Sequence, residues 1–139
     1  MKQATLYGMY TTTLITAGLF LFTLTLCATA AESGSLQGKA LYHVVSLKFK
    51  EGTSVEQIKA VEGAFVALKT KIPGIDSLNW GTNVSPEHHD NGFTHCFVLT
   101  FASEKDRDTY LAHAEHKAFG GVLHPILDQV LVIDFWSKN

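Results

Sequence analysis

The side chains with the most chemistry to offer are seven histidines: His43, His88, His89, His95, His113, His116 and His124. Imidazole titrates nearest neutral pH, so it is the side chain best suited to moving protons there. Tyr110, His113 and His116 follow at steps of three, and the first step keeps Tyr110 and His113 on one helical face. If the fold brings them together, His43, His95, Tyr110 and His116 can surround one cavity between a sheet and a helix. His113 then lies at its edge, and Phe65 opposes that region from another helix and narrows it. Such a cluster can transfer protons or position a ligand, and a buried histidine bonded to backbone is also a common packing solution.

The same histidines make a poor metal site. His88, His89 and Asp90 are adjacent in a polar loop, and neighbouring residues rarely point at one ion. His113 and His116 are better spaced but lack a third ligand, so no metal is expected, and no cofactor either. Cys96 has no basic neighbour to activate its thiol and reads as a small apolar group. Trp80 and Trp136 read as packing or interface residues.

Periodicity supplies the elements that must position these groups. Residues 41–49 alternate, with Leu41, His43, Val45, Leu47 and Phe49 on one side, which is a strand. Ser54-Val-Glu-Gln57 is a capping box, and Ile58, Val61, Phe65, Leu68 and Ile72 then mark one face of a helix. Pro73-Gly74 ends it. A second strand is predicted over 75–84, a polar loop over 85–92 and a third strand over 93–101, with His95, Phe97, Leu99 and Phe101 sharing a side. Ser103 caps a second helix. Helical sequence continues over about 115–127, with a break or bend expected near Gly120-Gly121 and at Pro125. A last strand occupies 129–136.

The order β-α-β-β-α-β predicts an α+β, ferredoxin-like fold: a four-stranded antiparallel sheet with the helices on one face. The other face carries groups too apolar for water, such as Val44, Val98 and Val132. A second sheet laid against it predicts a two-fold homodimer closing into an α/β barrel.

Composition agrees with one small domain. The chain has 139 residues, 46% hydrophobic and 17% charged, with a net charge of −2. Without a basic stripe, nucleic acid is not expected as a partner. The first thirty residues differ from the rest. Residues 14–26 form an apolar block, Ala28-Thr29-Ala30 is a small-x-small cleavage pattern and Glu32-Ser-Gly-Ser35 is polar, the order of a secretory signal peptide. The block falls short of the roughly 20 apolar residues that span a bilayer, so no membrane association is expected after cleavage near Ala30. Lipid attachment at Cys27 is the other processing route, although Leu26 before it is bulky. The expected organisation is a signal peptide over 1–30, a flexible linker over 31–40 and a folded domain over 41–136, located in the periplasm or secreted. Cleavage leaves Cys96 as the single thiol, so the core holds by packing without a disulfide.

Five blocks then carry a resemblance: His43-Val-Val-Ser-Leu-Lys-Phe-Lys50, Lys71-Ile-Pro-Gly-Ile75, Gly81-Thr-Asn-Val-Ser85, Gly92-Phe-Thr-His95 and His113-Ala-Glu-His-Lys-Ala-Phe119. In this order and spacing the chain resembles the stress-responsive dimeric A/B-barrel (Dabb) family over nearly all of 41–136. The resemblance implies the same topology, a barrel formed by dimerisation, and a function that varies among members. Most have no established activity and a few are enzymes, including a plant polyketide cyclase. By that resemblance His116 is the base and Tyr110 polarises a carbonyl in an aldol closure. The expectation is therefore a homodimer binding a small apolar or aromatic ligand. The alternative is a cofactor-independent cyclase, lyase or monooxygenase-like enzyme using the His/Tyr pair. The family often has a proline where this chain has Ala114.

Overall fold

A computed structural model describes residues 39–138. The signal peptide expected over 1–30, and all but the last two residues of the linker over 31–40, lie outside the described residues. The elements follow the expected order, with the second helical region divided in two: β1 (Leu41–Phe49), α1 (Val55–Lys71), β2 (Ser77–Thr82), β3 (His95–Phe101), α2 (Glu104–Ala112), α3 (Ala114–Leu123) and β4 (Leu127–Trp136). The sheet order is β2-β3-β1-β4 and every pairing is antiparallel.

Strand β1 is central, because it is bonded to β3 on one side and β4 on the other. Alternation along it puts Leu41, His43, Val45 and Leu47 in the core beneath the helices. From β3, His95, Phe97, Leu99 and Phe101 face the same way. Helix α1 starts on the capping box read from sequence: Ser54 Oγ accepts from Gln57 N–H, and the Gln57 side chain accepts from Ser54 N–H. A cap of this kind contributes about 1 kcal/mol. The helix then lays Val61, Phe65 and Leu68 onto the sheet.

The bend expected at Gly120-Gly121 is absent, and α3 runs through both glycines and stops before Pro125. A glycine costs a helix about 1 kcal/mol, which packing can offset. A Cβ at Gly120 would lie 3.3 Å from the His124 ring, so the missing side chain leaves room for that imidazole. The break falls instead at His113, whose extended backbone ends α2 and caps α3. Ala114, where family members often carry proline, is therefore the first residue of α3, a position at which proline is tolerated because its missing N–H has no helical partner.

Val132 lies opposite Val45 and so shares the helix side of the sheet, not the uncovered side expected for it. Strand β4 is apolar at successive positions from Val130 to Ile133, which erases the alternation that would assign its faces. Register decides instead. Leu131, Ile133 and Phe135 lie opposite Ser46, Val44 and Tyr42 on the uncovered face, where the Tyr42 and Phe135 rings stack at 5.0 Å.

Candidate functional site

The β1–β4 register places Asp134 directly opposite His43. His43 is 4% exposed, and its Nδ1–H donates to Asp134 Oδ1 at 2.6 Å. Arg107, on α2, donates to the other oxygen, Oδ2. Arg107 precedes Tyr110 by three residues, so both lie on the side of α2 that meets the sheet. The His43 ring meets Tyr110 edge-on at 5.7 Å, and Tyr110 in turn packs on His116 at 4.5 Å. Phe101 and Phe119 close the cluster.

The cluster's electrostatics follow from burial. Tyr110 is 1% exposed, and desolvation pushes its phenol above the ordinary value, so it stays protonated and able to donate. Burial lowers the His116 imidazole. A hydrogen bond to the Leu111 carbonyl opposes this and the nearby His43 adds to it, leaving the ring below its usual range. Neutral imidazole is the proton-accepting form. Partial burial raises the Asp134 carboxyl, but the bonds from His43 and Arg107 outweigh that and hold it below the usual range.

His95 lies apart from this group. It pairs with Leu47 whereas His43 pairs with Leu99, which separates the two histidines by about 13 Å of strand. Its nitrogens instead meet Thr94 Oγ1 at 2.8 Å and Glu62 Oε1 at 3.0 Å, fastening α1 to β3. His113 caps α3, its Nδ1 accepting from Glu115 N–H at 3.2 Å. Phe65 fills the space between α1 and the sheet: it is 1% exposed, stacked on Phe97 at 3.9 Å and tilted against Phe119 at 4.8 Å. The structure thus joins His43, Tyr110 and His116 and leaves His95 and His113 to tie elements together. Among the described residues no cluster of His, Cys, Asp and Glu is arranged to hold a metal.

A cleft of about 570 Å³ opens on the uncovered side of the sheet, beneath the loop joining β2 to β3. Ser46, Asn79, Cys96, Val98 and Leu131 form its floor, and His89 and Phe93 also line it; the Trp80 ring itself lies on the helix side of the sheet, stacked on Phe97 at 5.4 Å. Neither this cleft nor a smaller one of about 120 Å³ between α1 and α3 is lined by His43, Tyr110 or His116.

Asp134, Arg107 and Glu62 do not stand out in the histidine pattern. Asp134 leaves one trace in the sequence, because it is the only charge between Val130 and Trp136 and a charge in an apolar strand needs a partner.

The sequence model for the Stress responsive A/B Barrel Domain matches residues 41–137. The stress-response A/B barrel domain-containing protein HS1 of Arabidopsis thaliana is 37% identical over 93 residues, which cover 67% of this chain and 85% of that protein. Olivetolic acid cyclase of Cannabis sativa is 29% identical over 100 residues, covering 72% of this chain and 99% of the cyclase. Among solved structures, a dimeric ferredoxin-like protein from Jannaschia sp. superposes with a TM-score of 0.62 at 26% identity, covering 69% of this chain and 97% of that one.

Because the fold disfavours protonated His116, the unfolded chain binds more protons than the native one as pH falls through the ordinary imidazole range. This contribution to stability is complete above the unfolded value and is lost as pH falls through the folded one. His116→Gln should therefore lose less stability than the parent between about pH 7 and about pH 5, read from denaturant midpoints. Equal losses would show that His116 is not the desolvated group.

Proposed function

This chain belongs to the stress responsive A/B barrel domain family, and we propose that it is an exported homodimeric barrel that binds a small apolar or aromatic ligand. The observation that carries this reading is the uncovered face of the sheet. Leu131, Ile133 and Phe135 there are 46%, 49% and 47% exposed, beside Tyr42, Val44 and Val98. Apolar surface gains about 25 cal/mol per Å² on leaving water, so a continuous patch favours a partner. A second copy related by a two-fold axis supplies the same surface in return. The 570 Å³ cleft opens on that face, and its volume lies within the ~300–1,000 Å³ of small-ligand sites. Its lining joins Phe93, Val98 and Leu131 to a larger number of hydrogen-bonding side chains, among them Ser46, Asn79, Asn83, Asp90 and Asn91, which suits an aromatic ligand carrying several polar groups.

The contact between Tyr110 and His116 favours a second reading, a cofactor-independent cyclase. In that chemistry neutral His116 takes a proton from a carbon next to a carbonyl while the Tyr110 hydroxyl donates a hydrogen bond to a second, electrophilic carbonyl. The carbanion adds to that second carbonyl carbon, and protonated His116 returns its proton to the alkoxide. The similarity to olivetolic acid cyclase supports the same reading.

Placing lysine on the uncovered face, as Ile133→Lys, should raise the dimer dissociation constant about tenfold or more, which corresponds to ~1.4 kcal/mol. Sedimentation at micromolar concentration reads this directly, and a monomeric parent chain rejects the dimer. Titrating 2,4-dihydroxybenzoate into the isotope-labelled chain separates the two readings. Shifts centred on Asn79, Cys96 and Val98 favour the cleft, shifts on Tyr110 and His116 favour the cyclase, and no shift at millimolar probe rejects both for aromatic acids. Export rests on the apolar block over 14–26 and Ala28-Thr29-Ala30. Protein recovered outside the cytoplasm should begin at Ala31, whereas a lipid-bearing Cys27 would mark a lipoprotein and an uncleaved cytoplasmic chain would rule export out.

A further inference from the structure

Asp134 is a charge in a strand whose neighbours are all apolar, and both of its oxygens are engaged. One accepts from His43 Nδ1, the other from Arg107. Arg107 is itself held, since its Nε donates to Asp108 at 2.8 Å. An ionised carboxylate can only accept, so the proton between Asp134 and His43 resides on Nδ1. The bond therefore selects one tautomer of neutral His43, leaving Nε2 as the ring's acceptor. It also sets the ring plane, edge-on to Tyr110 at 68°. Tyr110 lies between His43 and His116, in contact with both rings.

We propose that Asp134, anchored by Arg107, is a positioning residue for the Tyr110–His116 pair and acts on it through His43. The proposal rests on the reading of His116 as a base. Asp134 makes no hydrogen bond to His116 or Tyr110; what it controls is the orientation and tautomer of the imidazole on the far side of Tyr110. Positive charge on His43 opposes a second positive charge on His116 and so keeps His116 in its accepting form. The charged and titratable groups around His116 come from every element near it. They are His43 on β1, Asp134 behind it on β4, Arg107, Asp108 and Tyr110 on α2, and His113, Glu115 and Lys117 on either side of it in sequence. Lys71 of α1 is engaged by Glu115 at 2.8 Å. Of these, His43 is the group whose charge bears on His116, and Asp134 is the group bonded to it.

The test is nitrogen and proton NMR of the histidine rings in the full-length chain, which needs no substrate. In the parent protein His43 should carry its proton on Nδ1. Asp134→Asn should release that tautomer and raise the His116 titration midpoint by about half a pH unit. His43→Gln should move His116 the same way, and the double variant no further than His43→Gln alone, because both changes cut one route. Asp134→Glu keeps the carboxylate and should keep the parent midpoint. A neutral parent His43 protonated on Nε2 overturns the proposal, and this needs no variant to fold. An unmoved His116 midpoint in His43→Gln, or additive shifts in the double variant, overturns it as well. Failure of the base reading looks different: 2,4-dihydroxybenzoate would leave Tyr110 and His116 unmoved while Asp134→Asn still shifted the His116 midpoint.

Discussion

Strand β1 must put every second residue beneath the helices, and one of those residues is a histidine. Leu41, Val45 and Leu47 satisfy that environment by being apolar, but His43 does not. A buried imidazole needs a hydrogen-bond partner, and the only neighbours fixed by the sheet are the residues opposite it. On β3 that residue is Leu99, on β4 it is Asp134. The carboxylate brings its own requirement, met by Arg107, and so α2 is tied to the edge strand by a chain of charges. Tyr110 follows on the same face of α2 and comes to rest between His43 and His116. The cluster is thus a consequence of burying one histidine at the centre of the sheet.

His95 answers the same requirement differently. It also lies on the helix side of the sheet and is 7% exposed, yet its partner is Glu62 from α1. One buried histidine fastens the second helical region, the other fastens the first. Phe65, Phe97 and Phe119 pack between these two polar ties and fill the layer. A cleft opens on the opposite side, enclosed by three strands and a loop, with Leu131 added from β4. The two faces differ: one holds titratable rings in a packed layer, the other offers apolar surface and a cleft.

Much of this was legible in the residues. Alternation in β1 and β3, the Ser54–Gln57 capping box and the Pro73-Gly74 stop specify their elements locally, because each depends on neighbours within a few residues. The pairing of Tyr110 with His116 came from the family resemblance, not from the local pattern. Alternation could not assign the faces of β4, because Val130 to Ile133 are all apolar and satisfy either face equally. The break at His113 was also hidden, since two glycines and a proline nearby are stronger local signals than a histidine cap.

What the sequence determined by itself is the element order, the core-facing residues of the central strands, the family to which the domain belongs and the set of imidazoles available for chemistry. What the tertiary structure decided is which of those imidazoles meet. His43 and His95 share one side of neighbouring strands, and only register separates them along the sheet. Asp134 and Arg107 are ordinary surface-type residues until pairing sets one opposite His43 and a helix crossing brings the other over it. Register and crossing are sums over many weak contacts across the sheet. No short stretch of chain encodes them, and the partners of a buried charge are settled only when the strands have closed.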